Sequence, residues 1–500
     1  MFIAPDPGLL RLRIASRAVI GVGAAVALSE LCGLSLVASI TSGLAALLAL
    51  FTVTDTSVTA QRLTTALLPA AGFPVLALAT TLHGIPLLRD IAFIAIVFAG
   101  VYARRFGPRG HALGIFAFMQ FFVTQFLHAA PAQLPELFAS VTLALVAAGL
   151  VRFVLWPIER RTPPAPLPAP LPGVRLARAT TRQAFQATAA CAAALAVGQL
   201  LSSDRWYWAV GTAWWIFVNT SSRGETLVRG FRRVLGTVVG VIAGVLVAIP
   251  LDGAGWPTAV LVALCVFGIF YTAPVSYSWM MLAVTLMAGL LYGLLGVLDH
   301  DLLVLRLLET GVGALFAGLA VIVVLPVTTH ATNEAWIQRA LRCVHAATTE
   351  AGARLAGSPT ADPSPHVLEL ELLLGRVRPA LAPLVHPLSP FRARKARARQ
   401  VLALLDACSR EVRALAAVAA DPAASHDERL AAACRRVEHA VADLTAGERA
   451  RHAPAPAHHA HQEAPAEPAL RHLHGLERAL AELTVPLRPA PPRGSLVGAA

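Results

Sequence analysis

Residues 206–247, WYWAVGTAWWIFVNTSSRGETLVRGFRRVLGTVVGVIAGVLV, decide how the chain is read. Two apolar runs flank a polar, basic turn. Trp206 and Trp208 open the first run, and Trp214 and Trp215 lie deeper in it. Indole rings favour the membrane–water interface or a ligand-lined cavity. An interfacial belt accounts for the first pair; the second pair is placed to stack on an aromatic ligand. Asn219 to Gly224 cannot continue a lipid-facing run, and Arg223, Arg229, Arg232 and Arg233 follow before apolar residues resume at Val234. Beyond them Gly236, Gly240 and Gly244 recur every four residues. That spacing puts them on one helical face, where small residues let two helices approach closely in lipid.

Composition agrees with a membrane protein. Hydrophobic residues make up 56% of the 500 and charged residues 14%, against about a quarter charged in soluble domains. The mean hydropathy is +0.64. The net charge of +12 does not point to nucleic acid, because most arginines border apolar runs or lie in the C-terminal third. Membrane orientation and lipid headgroups account for them. The six cysteines show no CxxC pairing and read as reduced thiols. The N-terminus, MFIAPDPGLLRLRIASR, resembles a signal n-region without a clear cleavage site and reads as an uncleaved first anchor.

Apolar runs near the ~20 residues a crossing helix needs fall near 16–35, 36–53, 64–82, 88–103, 110–128 and 136–157. After the stiff TPPAPLPAPLPG segment at 162–173 they restart near 183–202, 206–219, 231–250, 256–273, 277–298 and 303–326. RFVLWP ending at Pro157 matches VIVVLP ending at Pro326, and Arg17 opens its helix as Arg182 does. This pattern predicts an internal duplication. With six spans each, the two copies enter the membrane in the same sense. Sliding Phe217 onto Phe51 sets Ser57, Ala66 and Leu67 against Arg223, Arg232 and Arg233, so arginine chemistry belongs to the second copy.

The fold expected is an all-α membrane protein of about twelve transmembrane helices in two parallel six-helix repeats, followed by a cytosolic helical domain. Residues 1–157 form the first repeat, 158–178 a proline-rich cytosolic linker and 179–327 the second repeat. Residues 328–448 form the cytosolic helical domain, 449–466 a His/Ala/Pro-rich linker, and 467–500 a C-terminal helix and tail. With alternating spans, Arg11, Arg62, Arg104, Arg105, Arg109, Arg160, Arg161, Arg175, Arg178 and the arginines of 223–233 share one side. Arg89, Arg205 and Arg306 oppose them. The positive-inside rule makes both termini cytoplasmic. In the tail, Val401, Leu404, Leu405, Cys408, Val412 and Leu415 form an apolar stripe that needs a partner helix, in the same tail or in a second copy of the chain.

Topology alone accounts for a cytoplasmic arginine cluster. The chemical reading is that Arg223, Arg229, Arg232 and Arg233 gather an organic anion, since guanidinium pairs bidentately with carboxylate. Arg229, Arg232 and Arg233, at i, i+3 and i+4, would project as a ridge. Acids within spans suggest function, and Glu30, Asp55 and Glu309 qualify. Glu309 lies one turn after Arg306, so an ion pair between them is its bland reading and proton coupling its functional one. His452, His458, His459, His461, His472 and His474 have a ligand type that metals accept, but alternating Ala and Pro argue for a linker. No metal site is assigned. No nucleotide-binding, nucleophile or dinucleotide motif occurs, so neither an enzyme nor a cofactor is expected.

With these residues in view, WAVGTAWWIFVNTSSRGETLVRGFRRVLGTVVGVIAG resembles the repeat of the fusaric acid resistance family of aromatic acid exporters. The likeness rests on Ser222-Arg223-Gly224, Arg229, Arg232-Arg233 and Gly236-Thr237-Val238-Val239-Gly240, and on Arg306-Leu307-Leu308-Glu309-Thr310 with Gly311 and Pro326. It is sharp in the second half and faint in the first. The resemblance implies proton-driven export of aromatic carboxylic acids and similar organic anions across the bacterial inner membrane, often beside a periplasmic adaptor protein. A passive organic-anion channel and a non-transporting membrane scaffold are the alternatives. The short proline linker between the halves departs from relatives that carry a large cytosolic domain there.

Overall fold

The computed structural model describes residues 6, 9–154, 178–220, 222–326, 329–358, 360–385, 392–420, 428–445 and 468–487. The proline-rich segment, Pro157, Arg160, Arg161, Arg175 and the histidines His452, His458, His459 and His461 lie outside the described residues. Every regular element among the described residues is helical. They form two compact units, one ending at Pro326 and one beginning at Thr329.

The first unit contains α1 (Leu10–Leu31), α2 (Leu36–Thr52), α3 (Val58–Thr81), α4 (Pro86–Tyr102), α5 (Gly107–Leu127) and α6 (Leu134–Val154). It continues with α7 (Ala179–Leu201), α8 (Tyr207–Phe217), α9 (Arg223–Ala243), α10 (Gly255–Thr272), α11 (Tyr277–Leu294) and α12 (His300–Val323). Among the described residues, nine stretches are long and apolar enough to cross a membrane, with α4 and α5 counted as one run. Large apolar side chains such as Leu200, Leu246, Trp256 and Val323 point outward, as a hydrocarbon solvent allows.

Two boundaries differ from the sequence expectation. The span expected near 231 starts at Arg223, because the Ser222 hydroxyl caps the helix by accepting the Glu225 N–H at 3.4 Å. Three of the four arginines therefore lie along the opening turns of α9, and Arg223 is its first residue. The run at 206–219 yields only the 11-residue α8, about 16 Å long against the ~30 Å hydrocarbon core. Ten of those residues are buried. Non-helical backbone at either end of such a helix is tolerated because protein, not lipid, surrounds it.

The packing has a repeating order. α1 lies on α2 and α6 as α7 lies on α8 and α12; α3 lies on α5 as α9 lies on α11. Across the halves α4 lies on α7, and α10 on α1. The loops sort to two ends. At one, Arg205, Gly253, Tyr292, Gly293 and Leu302 meet. At the other, Arg104 meets Phe217 and Thr220, and Gln186 meets Val324 and Leu325.

Gly236 and Gly240 are the contact between α9 and α11. A Cβ on Gly236 would collide with the Ser278 carbonyl, and one on Gly240 would lie 2.6 Å from the Thr285 Cβ. Gly244 sits instead against Leu303 of α12. From Gly244 to Ala248 the helix widens into a π turn that rests on both α11 and α12.

The second unit holds α13 (Thr329–Leu355), α14 (Ser364–Val385), α15 (Arg392–Ala419), α16 (Glu428–Thr445) and α17 (Pro468–Leu487) around one apolar core. Val401, Leu405, Cys408, Val412 and Leu415 are buried, with Leu404 packed against them. The stripe on α15 is covered by α14 and α17, so it is not a free face awaiting a second copy. Of the tail histidines, His472 pairs with Glu411 at 2.9 Å, and His474 faces Arg436 at 3.3 Å. Among the described residues no three or more His, Cys, Asp or Glu side chains gather as a metal site.

Burial pushes the Cys343 and Cys434 thiols up to about 11 and Cys408 to about 12. Cys191 and Cys265 are buried in the first unit, and Cys32 is exposed. At neutral pH the folded chain should bind one equivalent of maleimide, at Cys32, with the other five reacting after denaturation; prompt labelling of Cys408 in the folded chain would contradict this packing. Gly236→Ala should destabilise the first unit by about 1–3 kcal/mol through overpacking, seen as a lower thermal midpoint. Gly311→Ala, where nothing lies within 4 Å, should leave the midpoint unchanged or higher.

Candidate functional site

The first functional geometry is at the opening of α9. Side chains at 229, 232 and 233 share an arc of about 100° on the helix, and the edge of its packing on α11 and α12 runs through that arc. Arg223 and Arg232 are exposed, whereas Arg233 is buried and Arg229 half-buried. The expected ridge is thus divided. Arg229 lies over the Tyr277 ring at 4.0 Å, and Arg233 donates to the Tyr277 hydroxyl at 3.2 Å and to Met281 Sδ at 3.0 Å.

Deeper in the same half, α12 brings in Arg306 and Glu309. The Arg306 guanidinium sits 3.3 Å from the centre of the Trp208 ring and close enough to Arg233 and Glu309 for their charges to interact. Trp208 Nε1 donates to the Tyr292 hydroxyl at 2.5 Å, Tyr292 meets the Tyr207 hydroxyl at 3.1 Å, and Arg205 lies over Tyr292 at 5.1 Å. Arg205, Trp208, Tyr292, Leu302, Leu305, Arg306 and Glu309 enclose a cavity of about 10 Å³, near the lower limit for one water.

The polar atoms here are incompletely satisfied. Nε of Arg229, Nε of Arg233, Nε and Nη1 of Arg306 and both Glu309 oxygens are buried with no hydrogen-bond partner. Glu309 is 0% exposed. The simple Arg306–Glu309 ion pair does not form, because the guanidinium is turned onto Trp208 and neither carboxyl oxygen accepts from it. Leaving such groups buried and unpaired costs several kcal/mol each. The arrangement is a line of donors, Arg229, Arg233 and Arg306, with one carboxyl beside its inner end.

Trp214 and Trp215 lie elsewhere. Trp214 stacks on Phe118 of α5 with centroids 3.8 Å apart and planes at 7°, and Trp215 meets Trp214 edge-on. Trp206 and Trp208 are buried rather than interfacial: Trp206 packs on Phe93, and Trp208 on Phe122 and Phe126. All four rings belong to an aromatic contact involving α4, α5 and α8.

Sequence reading missed Tyr277 and Tyr292, although a tyrosine within an apolar span needs a partner for its hydroxyl. It also missed the role of Arg104. Carbonyls at the C-terminus of a helix lack intrahelical donors. Arg104 donates to the Phe217 carbonyl at 3.0 Å and the Thr220 carbonyl at 3.2 Å, and Gln183 donates to Thr220 at 2.7 Å. Arg152 does the same for α2, donating to Ala49, Leu50 and Val53 carbonyls at 3.1, 3.0 and 2.7 Å.

Apolar helices facing outward around a charged, aromatic interior define a multi-pass membrane protein of transporter type. Residues 191–321 match the family described as Fusaric acid resistance protein-like. The matched residues include the divided arginines, Trp208, Tyr277, Tyr292, Arg306 and Glu309. No curated protein and no solved structure matches the chain.

Arg104→Leu should leave the Phe217 and Thr220 carbonyls short of a charged donor and cost about 1–3 kcal/mol. Arg105→Leu, one residue on, is the comparison. Equal thermal midpoints for the two variants would refute the role given to Arg104.

Proposed function

We propose that the chain is a secondary transporter that exports aromatic carboxylic acids or similar organic anions across a bacterial inner membrane, driven by protons. The observation that carries this reading is the set of buried, unpartnered guanidinium N–H groups on Arg229, Arg233 and Arg306. Donors of this kind match a carboxylate better than any other small anionic group except phosphate. Arg223 and Arg232, exposed at the opening of α9, are placed to attract the anion, and Arg233 and Arg306 to receive it. The aromatic rings of Tyr277 and Trp208, already under cations, supply apolar walls for an aromatic body.

Glu309 is the coupling group in this reading. Its carboxyl lies close enough to Arg306 for their charges to interact, so a change in its protonation alters the field an anion meets there. Anion binding and the proton on Glu309 are therefore linked thermodynamically, which coupling requires. The packing order of the two sets of helices supports the proposed duplication, and in this reading the arginine-rich end faces the cytoplasm, as the positive-inside rule expects.

Inverted membrane vesicles should accumulate labelled hydroxybenzoate when a pH gradient is imposed and lose it on adding a protonophore. Glu309→Gln should abolish the response to the gradient while downhill flux persists, and Arg306→Gln should reduce both by tenfold or more, about 1.4 kcal/mol or above. Flux that ignores the gradient and Glu309→Gln would make the protein a passive channel; absence of flux would exclude this substrate class. Orientation is read separately: Arg232→Cys in a Cys32→Ser background should react with an impermeant maleimide in inverted vesicles and not in intact cells.

A further inference from the structure

The first half carries a cavity that the transport reading does not use. It has a volume of about 520 Å³ and is lined by Asp55, Ala103, Phe106, Pro108, Arg109, Gly110 and Leu113, within the ~300–1,000 Å³ typical of small-molecule sites. Its wall is the turn between α4 and α5, which reverses at Gly107 with φ +82°. Gly110 keeps that wall thin, since a Cβ there would strike the Ala103 carbonyl.

Two opposite charges line this space. Asp55 is only 8% exposed, and its Oδ2 is buried without a hydrogen-bond partner. Its position is fixed by its own carbonyl, which accepts from Gln61 Nε2 at 2.8 Å. Arg109 is anchored by its Nε donating to Thr64 Oγ1 at 3.3 Å, which leaves the terminal nitrogens for other partners. Among the described residues no ion pair joins Asp55 to Arg109. Between and around them the lining is Ala103, Phe106, Pro108 and Leu113, all apolar. A carboxylate on the wall of an apolar cavity calls for a cationic N–H, and a free guanidinium edge calls for a carboxylate.

We infer that this cavity binds a small zwitterion of the α-amino acid class with an apolar side chain, its ammonium on Asp55 and its carboxylate on Arg109. The apolar body lies against Phe106 and Leu113. The site is separate from the arginine line of the second half and does not depend on its function. It has a mechanical neighbour, however: Arg104 and His111, on the same turn that forms the cavity wall, hold Phe217, Thr220 and Asn219 at the end of α8.

The test uses the purified full-length chain in lipid nanodiscs, carrying Arg306→Gln so that the arginine line does not take up the carboxylate probes, and three probes read by calorimetry: L-phenylalanine, phenethylamine, which lacks the carboxylate, and 3-phenylpropanoate, which lacks the amine. Phenylalanine should bind about tenfold or more tightly than either single-charge analogue, the difference one charge-assisted hydrogen bond makes. Asp55→Asn should weaken phenylalanine by a similar factor and leave 3-phenylpropanoate unchanged. Arg109→Gln should weaken phenylalanine and leave phenethylamine unchanged. Phenylalanine binding no tighter than either analogue, or indifferent to both substitutions, would overturn the assignment. Should a cavity variant fail to assemble, the ranking of phenylalanine over phenethylamine and 3-phenylpropanoate in the Arg306→Gln chain decides alone.

Discussion

A helix buried on every side has no water for the carbonyls of its last turn, and the low dielectric around it makes each unmet carbonyl expensive. α8 and α2 are both in this position, and both are finished by side chains from distant sequence: Arg104 with Gln183 for α8, Arg152 for α2. These contacts do more than cap. Arg104 belongs to the first half and α8 to the second, so the helix carrying Trp208 is held at one end by the other half of the unit. The aromatic contact of Trp214 on Phe118 joins the same two halves farther along α8.

The interior charges are accommodated by a second device. Arg89, Arg205, Arg229 and Arg306 each lie over an aromatic ring, at 4.5, 5.1, 4.0 and 3.3 Å. Such contacts contribute about 0.5–2 kcal/mol, less than the several kcal/mol needed to strip a guanidinium of water. Rings alone therefore leave the buried Arg306 under-compensated. An anion with its own delocalised charge and flat apolar body would meet both demands at once, and that is the physical content of the proposed substrate class.

Much of the architecture was legible in the sequence because lipid imposes length and hydropathy together. Apolar runs, the Gly236–Gly240 contact and the basic bias of one end could be read from composition and spacing. The short α8 could not: its residues are as apolar as those of a full crossing, and only tertiary enclosure distinguishes the two. The arginine site was half legible. Residue type marked Arg229, Arg233, Arg306 and Glu309, but a single residue of helix phase separates the exposed Arg232 from the buried Arg233, and the true α9 start at Arg223 depended on the Ser222 cap. Rotamer choice was beyond reach, so the Arg306–Glu309 pair expected from i, i+3 spacing gave way to a guanidinium on Trp208. Tryptophan itself misled in another way: a ring that suits a ligand or a headgroup suits a phenylalanine of the neighbouring helix equally well.

The widened turn at Gly244–Ala248 has a bearing on how α9 can move. An extra residue in one turn swings the remainder of a helix to a new azimuth while giving up little more than ideal hydrogen-bond geometry. Before that joint α9 is keyed to α11 by glycines with no slack; within it Gly244 meets the Leu303 side chain of α12, and Ala248 meets Gly289 of α11. A small shift of α11 against α12 at this level can be absorbed in the widened turn, while the glycine contact sets the position of the turns before it.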